Sequence, residues 1–212
     1  MKKNSLLFTL LLAGITTFSQ VIDKNAEDII KEVTTKMQSY ETIRIEFTYI
    51  LENKDENIKE SKSGSIYIQS DKYRLYINDQ LLISDGKTQW AYTKDINEVQ
   101  IYEVDPEDEY TPMKMLTGSA ENFRPKLIRE VAEGGKTVQI VDLTPVEPQS
   151  FYKIRLEIDK NEKSIISSAI YDKEGTTFTY KVDKFHENPK IHPSRFTFSH
   201  ANYPGVIVTD MR

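Results

Sequence analysis

The side chains of this 212-residue chain that could carry chemistry are few and do not converge on a catalytic pattern. His186, His192 and His200 are its three histidines and all lie near the C-terminus. Their spacing is not that of a zinc site and no H-E-x-x-H is present, so surface or turn positions account for them better. With no cysteine there is no disulfide, no thiolate nucleophile, no cysteine-ligated metal and no N-terminal cysteine to carry a lipid. Ser84-Asp85-Gly86 places a serine beside a carboxylate, but as a hairpin turn rather than a G-x-S-x-G elbow. A phosphate-cradling glycine loop is missing. Carboxylates are abundant, and nothing in the pattern selects a glycosidase pair among them. The acidic run Glu103, Asp105, Glu107, Asp108 and Glu109 fits a solvated loop, or else a docking surface for a basic partner. It lacks the glycine hinge of a calcium loop. No enzyme activity, metal or cofactor is expected.

The apolar side chains are more informative. Phe47, Tyr49, Tyr73, Leu75, Ile77, Trp90, Tyr92, Phe178 and Tyr180 occupy alternating positions in several short segments. A filled core and a hollow one fit that alternation equally well. Met113, Met115 and Leu116, in a stretch with few β-branched residues, favour the hollow one: methionine is flexible and polarizable and repacks around varied apolar ligands. An acyl chain gains ~0.8 kcal/mol per buried CH₂, so a site for it needs apolar area more than polar groups.

The elements that must position these residues follow from periodicity. Residues 1–19 have the form of a secretory signal: Lys2 and Lys3, an apolar run Leu6–Ile15, then Thr17 and Ser19 before a cut at Gln20. The run is shorter than the ~20 residues a membrane anchor needs. Its removal takes the net charge from −5 to −7, which argues against a nucleic-acid partner. Residues 20–212 are expected to form one exported, soluble, monomeric domain. Ala26, Ile29, Ile30, Val33 and Met37 give an amphipathic helix over Asp23–Tyr40, capped by Asp23 or Asn25. From Thr42 the period becomes two. Strands are expected at Ile43–Leu51, Ser63–Gln69, Lys72–Ile77, Gln80–Ser84, Thr88–Thr93, Glu98–Tyr102, Lys126–Glu133, Lys136–Thr144, Tyr152–Asp159, Ile165–Asp172, Thr176–Phe185, Arg195–Ser199 and Val206–Thr209. One or two short helices are expected within Thr111–Arg124. The sum is a mainly β (α+β) fold: a curved sheet of about eleven antiparallel strands with helices over one face.

Several of these segments also resemble the LolA-like family of periplasmic outer-membrane lipoprotein carriers. Ser84-Asp85-Gly86-Lys87-Thr88-Gln89-Trp90-Ala91-Tyr92 resembles the family's S-D-G-K-x-x-W-x-Y hairpin, and Leu143-Thr144-Pro145 its L-T-P element. Thr111-Pro112-Met113 with Met115-Leu116 resembles the start of its lid helix. Arg195-Phe196-Thr197-Phe198 with Gly205-Val206 resembles its closing strand pair, and Phe47-Thr48-Tyr49 its first strand. The order holds from Val21 to Arg212. The resemblance implies an unclosed β-barrel capped by three helices. Its cavity would take lipoprotein acyl chains from an inner-membrane ABC-type release complex and pass them to an outer-membrane acceptor, with no chemistry. It places Tyr73 and Leu75 among cavity-facing residues, Met113 on the lid, and Trp90 and Tyr92 on a bracing hairpin. The arginine that latches the lid in other members falls here on Gln69 or Ser70, so the latch must differ. A lipid or lipoprotein sensor on the same scaffold is the alternative, and a periplasmic hydrolase a more distant one.

Overall fold

The computed structural model describes residues 23–77, 79–105 and 122–212. The helix α1 spans Lys24–Gln38. Asp23 caps it, its Oδ1 accepting the Ala26 N–H at 3.1 Å, and Ala26, Ile29, Ile30, Val33 and Met37 form its buried stripe. Twelve strands follow: β1 Ile43–Asn53, β2 Ile58–Gln69, β3 Lys72–Ile77, β4 Gln80–Ser84, β5 Thr88–Thr93, β6 Glu98–Glu103, β7 Phe123–Glu133, β8 Lys136–Pro145, β9 Phe151–Asp159, β10 Ser164–Asp172, β11 Thr176–Glu187 and β12 Ile207–Asp210. They form one sheet in the order β12-β6-β5-β4-β3-β2-β1-β11-β10-β9-β8-β7. Two antiparallel meanders, β1–β6 and β7–β11, are thus joined side by side through the β1–β11 ladder. β6 and β7 follow one another in the chain yet stand near opposite ends of the sheet.

The sheet is curled. Residues of α1, β1, β2, β3, β8 and β9 belong to a single buried cluster, with side chains of β4, β7, β10 and β11 packed against it. Laid flat at ~4.8 Å per strand, β4 to β7 would be far wider than the ~10–12 Å of one helix. A wrapped sheet lets one buried cluster reach across that width, with α1 itself lying against β7 and β10. The helix is tied in place at its start: the other oxygen of Asp23, Oδ2, accepts the Leu127 N–H at 3.0 Å. That N–H is at the β7 bulge, where the register with β8 shifts between Leu127 and Arg129.

Pro125 is accommodated inside β7 because β7 is an edge strand, where a missing ladder donor costs least. Two expectations are corrected. Arg195–Ser199 is not a strand; Pro193–Phe196 is a 3-10 turn capped by His192, with proline's fixed φ at its first position. Phe196 and Phe198 are nevertheless buried. The closing strand β12 runs parallel to β6 rather than antiparallel. β12 is reached from β11, in the middle of the sheet, by residues 188–206, which pass over the outer face by way of Arg195 on Tyr67 and Phe198 in contact with Tyr92.

Candidate functional site

Cross-strand partners share a face, so the ladders sort every strand residue onto the inner face, on which α1 packs, or the outer one. On the inner face, Phe47 stands opposite Val182, Tyr49 opposite Tyr180 and Leu51 opposite Phe178. Ile66 stands opposite Leu75 and Ile68 opposite Tyr73. Leu82 pairs with Leu75, and Ile170 with Phe178. All seven described residues singled out for an apolar cavity, Phe47, Tyr49, Tyr73, Leu75, Ile77, Phe178 and Tyr180, therefore lie on this one face. Phe47 and Tyr73 are buried, and the other five are half-buried. Met113, Met115 and Leu116 lie outside the described residues. Leu51, Leu82, Ile170 and Val182 belong to the same surface and were not singled out by sequence; only the register reveals them.

The aromatic rings form a chain. Phe47 meets Tyr180 edge-on at 5.8 Å between centroids, Tyr180 meets Tyr49 at 5.3 Å, and Tyr49 stacks on Phe178 at 6.5 Å. Gly64 makes this possible on the β2 side: a Cβ there would collide with the Phe47 ring. Burial, then the neighbouring Tyr49, pushes the Tyr180 hydroxyl up to about 12. Tyr49 is raised as well, by burial first and then by Glu60. Both hydroxyls thus stay protonated across the neutral range; the charges beside them on this face are Lys62 and Glu60, opposite Tyr49 and Leu51 and paired with each other at 3.7 Å. Tyr73 donates its hydroxyl to Gln89 Oε1 at 2.7 Å, where the inner face turns polar along β5 and β6. A separate niche of about 160 Å³ opens beside Met37, Tyr40 and Phe185, lined also by Lys36, Lys163, Glu162 and Glu187. Its balanced charges set it apart from the apolar surface.

Trp90 and Tyr92 lie on the outer face. Trp90 pairs with Ile83 and Ile101, and Tyr92 with Leu81 and Val99. Leu81, Ile83, Val99 and Phe198 form a second core, with Trp90, Tyr92, Tyr203 and Val206 packed on it. Phe198 stacks on Tyr203 at 4.7 Å, and Tyr203 approaches Tyr92 at 4.4 Å. The hairpin thus anchors the C-terminal segment on the face away from the apolar surface. The turn before it is built from its own side chains. Asp85 Oδ1 accepts the Lys87 and Thr88 N–H groups at 2.9 and 2.8 Å. Buried Ser84 accepts the Gly86 N–H at 3.1 Å, and Gly86 has φ +90°. Ser84 and Asp85 are engaged in holding the turn. The histidines are dispersed: His186 on β11, His192 as a cap, and His200 edge-on to Phe198. Among the described residues no group of three His, Cys, Asp or Glu could hold a metal. No helix among them is long and apolar enough to cross a membrane. Gln69 ends β2, and Ser70 takes a left-handed φ of +51° in the turn to β3.

Residues 38–199 match the family model described as outer membrane lipoprotein carrier protein LolA. The chain belongs to the LolA family. It is 24% identical over 175 residues to the outer-membrane lipoprotein carrier protein of Nitrosomonas europaea, covering 80% of this chain and 84% of that one. To the carrier of the same description from Methylibium petroleiphilum it is 25% identical over 195 residues, covering 89% and 92%. Among solved structures, an uncharacterized conserved protein from Thermus thermophilus shares the fold at a TM-score of 0.56 and 14% identity, over 88% of this chain and 99% of that one. The LolA superfamily protein NE2245 from Nitrosomonas europaea aligns at a TM-score of 0.44 and 10% identity, over 84% and 98%. The family's hairpin and L-T-P element fall here on the β4–β5 turn and on the inner-face end of β8, where Leu143 joins the main core.

Proposed function

We propose that this LolA-family chain is a periplasmic, non-enzymatic carrier. It binds lipoprotein acyl chains on the inner face of its sheet and ferries them from an inner-membrane ABC-type release complex to an outer-membrane acceptor. The observation that carries this reading is the half-buried apolar surface that the aromatic and aliphatic side chains Tyr49, Leu75, Ile77, Phe178 and Tyr180 form on one face. A surface of that kind rewards hydrocarbon by area and asks nothing of its chemistry. Met113, Met115 and Leu116 would complete it. Residues 1–19 would direct export and be removed, so the exported protein should begin at Gln20 on N-terminal sequencing.

Binding of a triacylated lipopeptide to the monomeric protein tests the assignment. Leu75→Glu should weaken it at least about tenfold, because it sets a charge in the path of the acyl chain at a cost above ~1.4 kcal/mol. Thermal unfolding of the same variant verifies that it is folded. Equal affinity of wild type and folded variant, or no lipopeptide binding by the wild type, would remove the inner face from consideration as a cargo site.

A further inference from the structure

The outer face carries a feature that cargo binding does not use. One cross-strand row runs His186, Arg44, Tyr67, Arg74 over β11, β1, β2 and β3, each residue directly opposite the next. Arg195, from the 3-10 turn, adds a third guanidinium 4.3 Å from the centre of the Tyr67 ring, and that of Arg44 lies 5.4 Å from the same ring. The anionic counterpart is thin. Glu46 takes Arg44, takes Lys184 at 3.0 Å, and has His186 at 3.9 Å. Its carboxyl is held below the usual range, foremost by the Lys184 hydrogen bond. Arg74 donates only to neutral groups, the Arg195 carbonyl at 3.2 Å and the Tyr203 hydroxyl at 3.4 Å. Among the described residues neither Arg74 nor Arg195 has a carboxylate within ion-pair distance, and Arg44 Nε is shielded from water with no acceptor. Among the described residues Glu46 is thus the one carboxylate within ion-pair distance of Arg44, Arg74, Arg195 and Lys184; Asp183, beside Lys184 on the same face, accepts from the Thr48 hydroxyl at 2.9 Å.

We propose that this arginine–tyrosine patch is a docking surface for an acidic segment of a protein partner. Guanidinium forks pair two-fold with carboxylates, and stacking on Tyr67 holds them oriented before the partner arrives. Arginine and tyrosine are the side chains on which interface energy concentrates, and Tyr76, 44% exposed, stands on the same face of β3. A lipid bilayer suits the patch less well. Adsorption to anionic lipid takes a broad field of cations, and the net negative charge of the chain opposes it. The patch is on the opposite face from the apolar surface, so an acidic partner and a hydrophobic cargo can be held together. The assignment stands whether or not the inner face carries lipid.

Fluorescence anisotropy of labelled hexaglutamate with the exported protein at low salt tests it. Wild type should bind, more weakly as salt rises. Arg195→Gln, which removes a side chain whose contact is the Tyr67 ring, should bind about tenfold more weakly, and Arg74→Gln/Arg195→Gln more weakly still. Lys173→Gln, an equal loss of charge in the β10–β11 turn, should bind as wild type does, and thermal midpoints verify that each variant is folded. The proposal is overturned if wild type does not bind hexaglutamate, if folded arginine variants bind it equally, or if Lys173→Gln loses as much. It is also overturned if the protein binds phosphatidylglycerol vesicles but not hexaglutamate, which would make the patch a membrane contact.

Discussion

Gly64 and Phe47 show how one missing Cβ shapes the apolar surface. The Phe47 ring occupies the space a side chain at 64 would need, and the Tyr76 carbonyl, 3.0 Å from that Cβ position, closes the other side. Gly64→Val should push the ring out of its contact with Tyr180 and destabilise the fold by about 1–3 kcal/mol, measured by urea denaturation. Trp90 is half-buried rather than enclosed. Trp90→Ala should therefore cost less than the ~3–5 kcal/mol of a fully buried tryptophan, about 2 kcal/mol on the same measurement. Asp142 ties the outer side of β8 to β9. Burial alone would raise its carboxyl, but the two hydrogen bonds from Arg155 at 2.7 and 2.8 Å, with the charges of Arg155 and Lys153, hold it below the ordinary carboxylate value. A lowered pKa in the folded state gives stability that is complete above the unfolded value near ~4 and is lost as pH falls through the folded one. Asp142→Asn should thus lower the thermal midpoint at neutral pH. It should also flatten the fall in midpoint below about pH 4 relative to wild type.

Between elements, the decisive contacts are made at strand irregularities. The Asp23 carboxylate serves α1 with one oxygen and the β7 bulge with the other. Both N–H groups hold it below the usual carboxylate range, that of Ala26 foremost. Asp23→Ala should lower the thermal midpoint, because it removes a helix cap and orphans a strand N–H at once. Amide exchange should quicken at Leu127 as well as in the first turn of the helix, whereas loss of a cap alone would affect only the latter. The C-terminal segment is fixed by packing as well as by the β12–β6 ladder. Phe198 is buried between Tyr92 and Tyr203. Phe198→Ala should cost about 3 kcal/mol or more and release β12 from β6 first, visible as early loss of amide protection at Ile207–Asp210.

For the molecule as a whole, a single sheet with two faces divides the labour. The inner face, on which α1 packs, carries the apolar surface, whereas the outer face carries the second core and the arginine row. The sheet has two edges, and they are protected differently. β7 presents Arg124, Lys126, Arg129, Glu130 and Glu133, the charges that discourage edge-to-edge pairing. β12 is only four residues long, although Ile207 is 60% exposed. Cargo that binds only the folded state should stabilise the whole unit. A lipopeptide at a hundredfold excess over its Kd should add about 2.7 kcal/mol to the unfolding free energy of wild type. Leu75→Glu at the same concentration should gain far less, an outcome read directly from paired denaturation curves.

The sequence by itself determined the local elements, because helix and strand declare themselves by period. The stripe from Ala26 to Met37 produced α1, alternation and turn residues produced the strands, and the spacing of Ser84, Asp85 and Gly86 produced a turn held by its own side chains. It also placed seven aromatic and aliphatic residues that share one face. Alternation could not tell that face from its reverse, so the opposite orientation of Trp90 and Tyr92 emerges only from the ladders. Nor could a two-residue period foresee that Pro193 begins a 3-10 turn, or that the last strand pairs in parallel after a crossover. Those depend on contacts more than 100 residues apart in the chain, Ile207 with Glu98 and Arg195 with Tyr67 among them. Tertiary structure decided what only distant neighbours can decide: the curl that packs side chains of nine strands and one helix into a single core, and the gathering of three arginines from three separate segments about a single tyrosine.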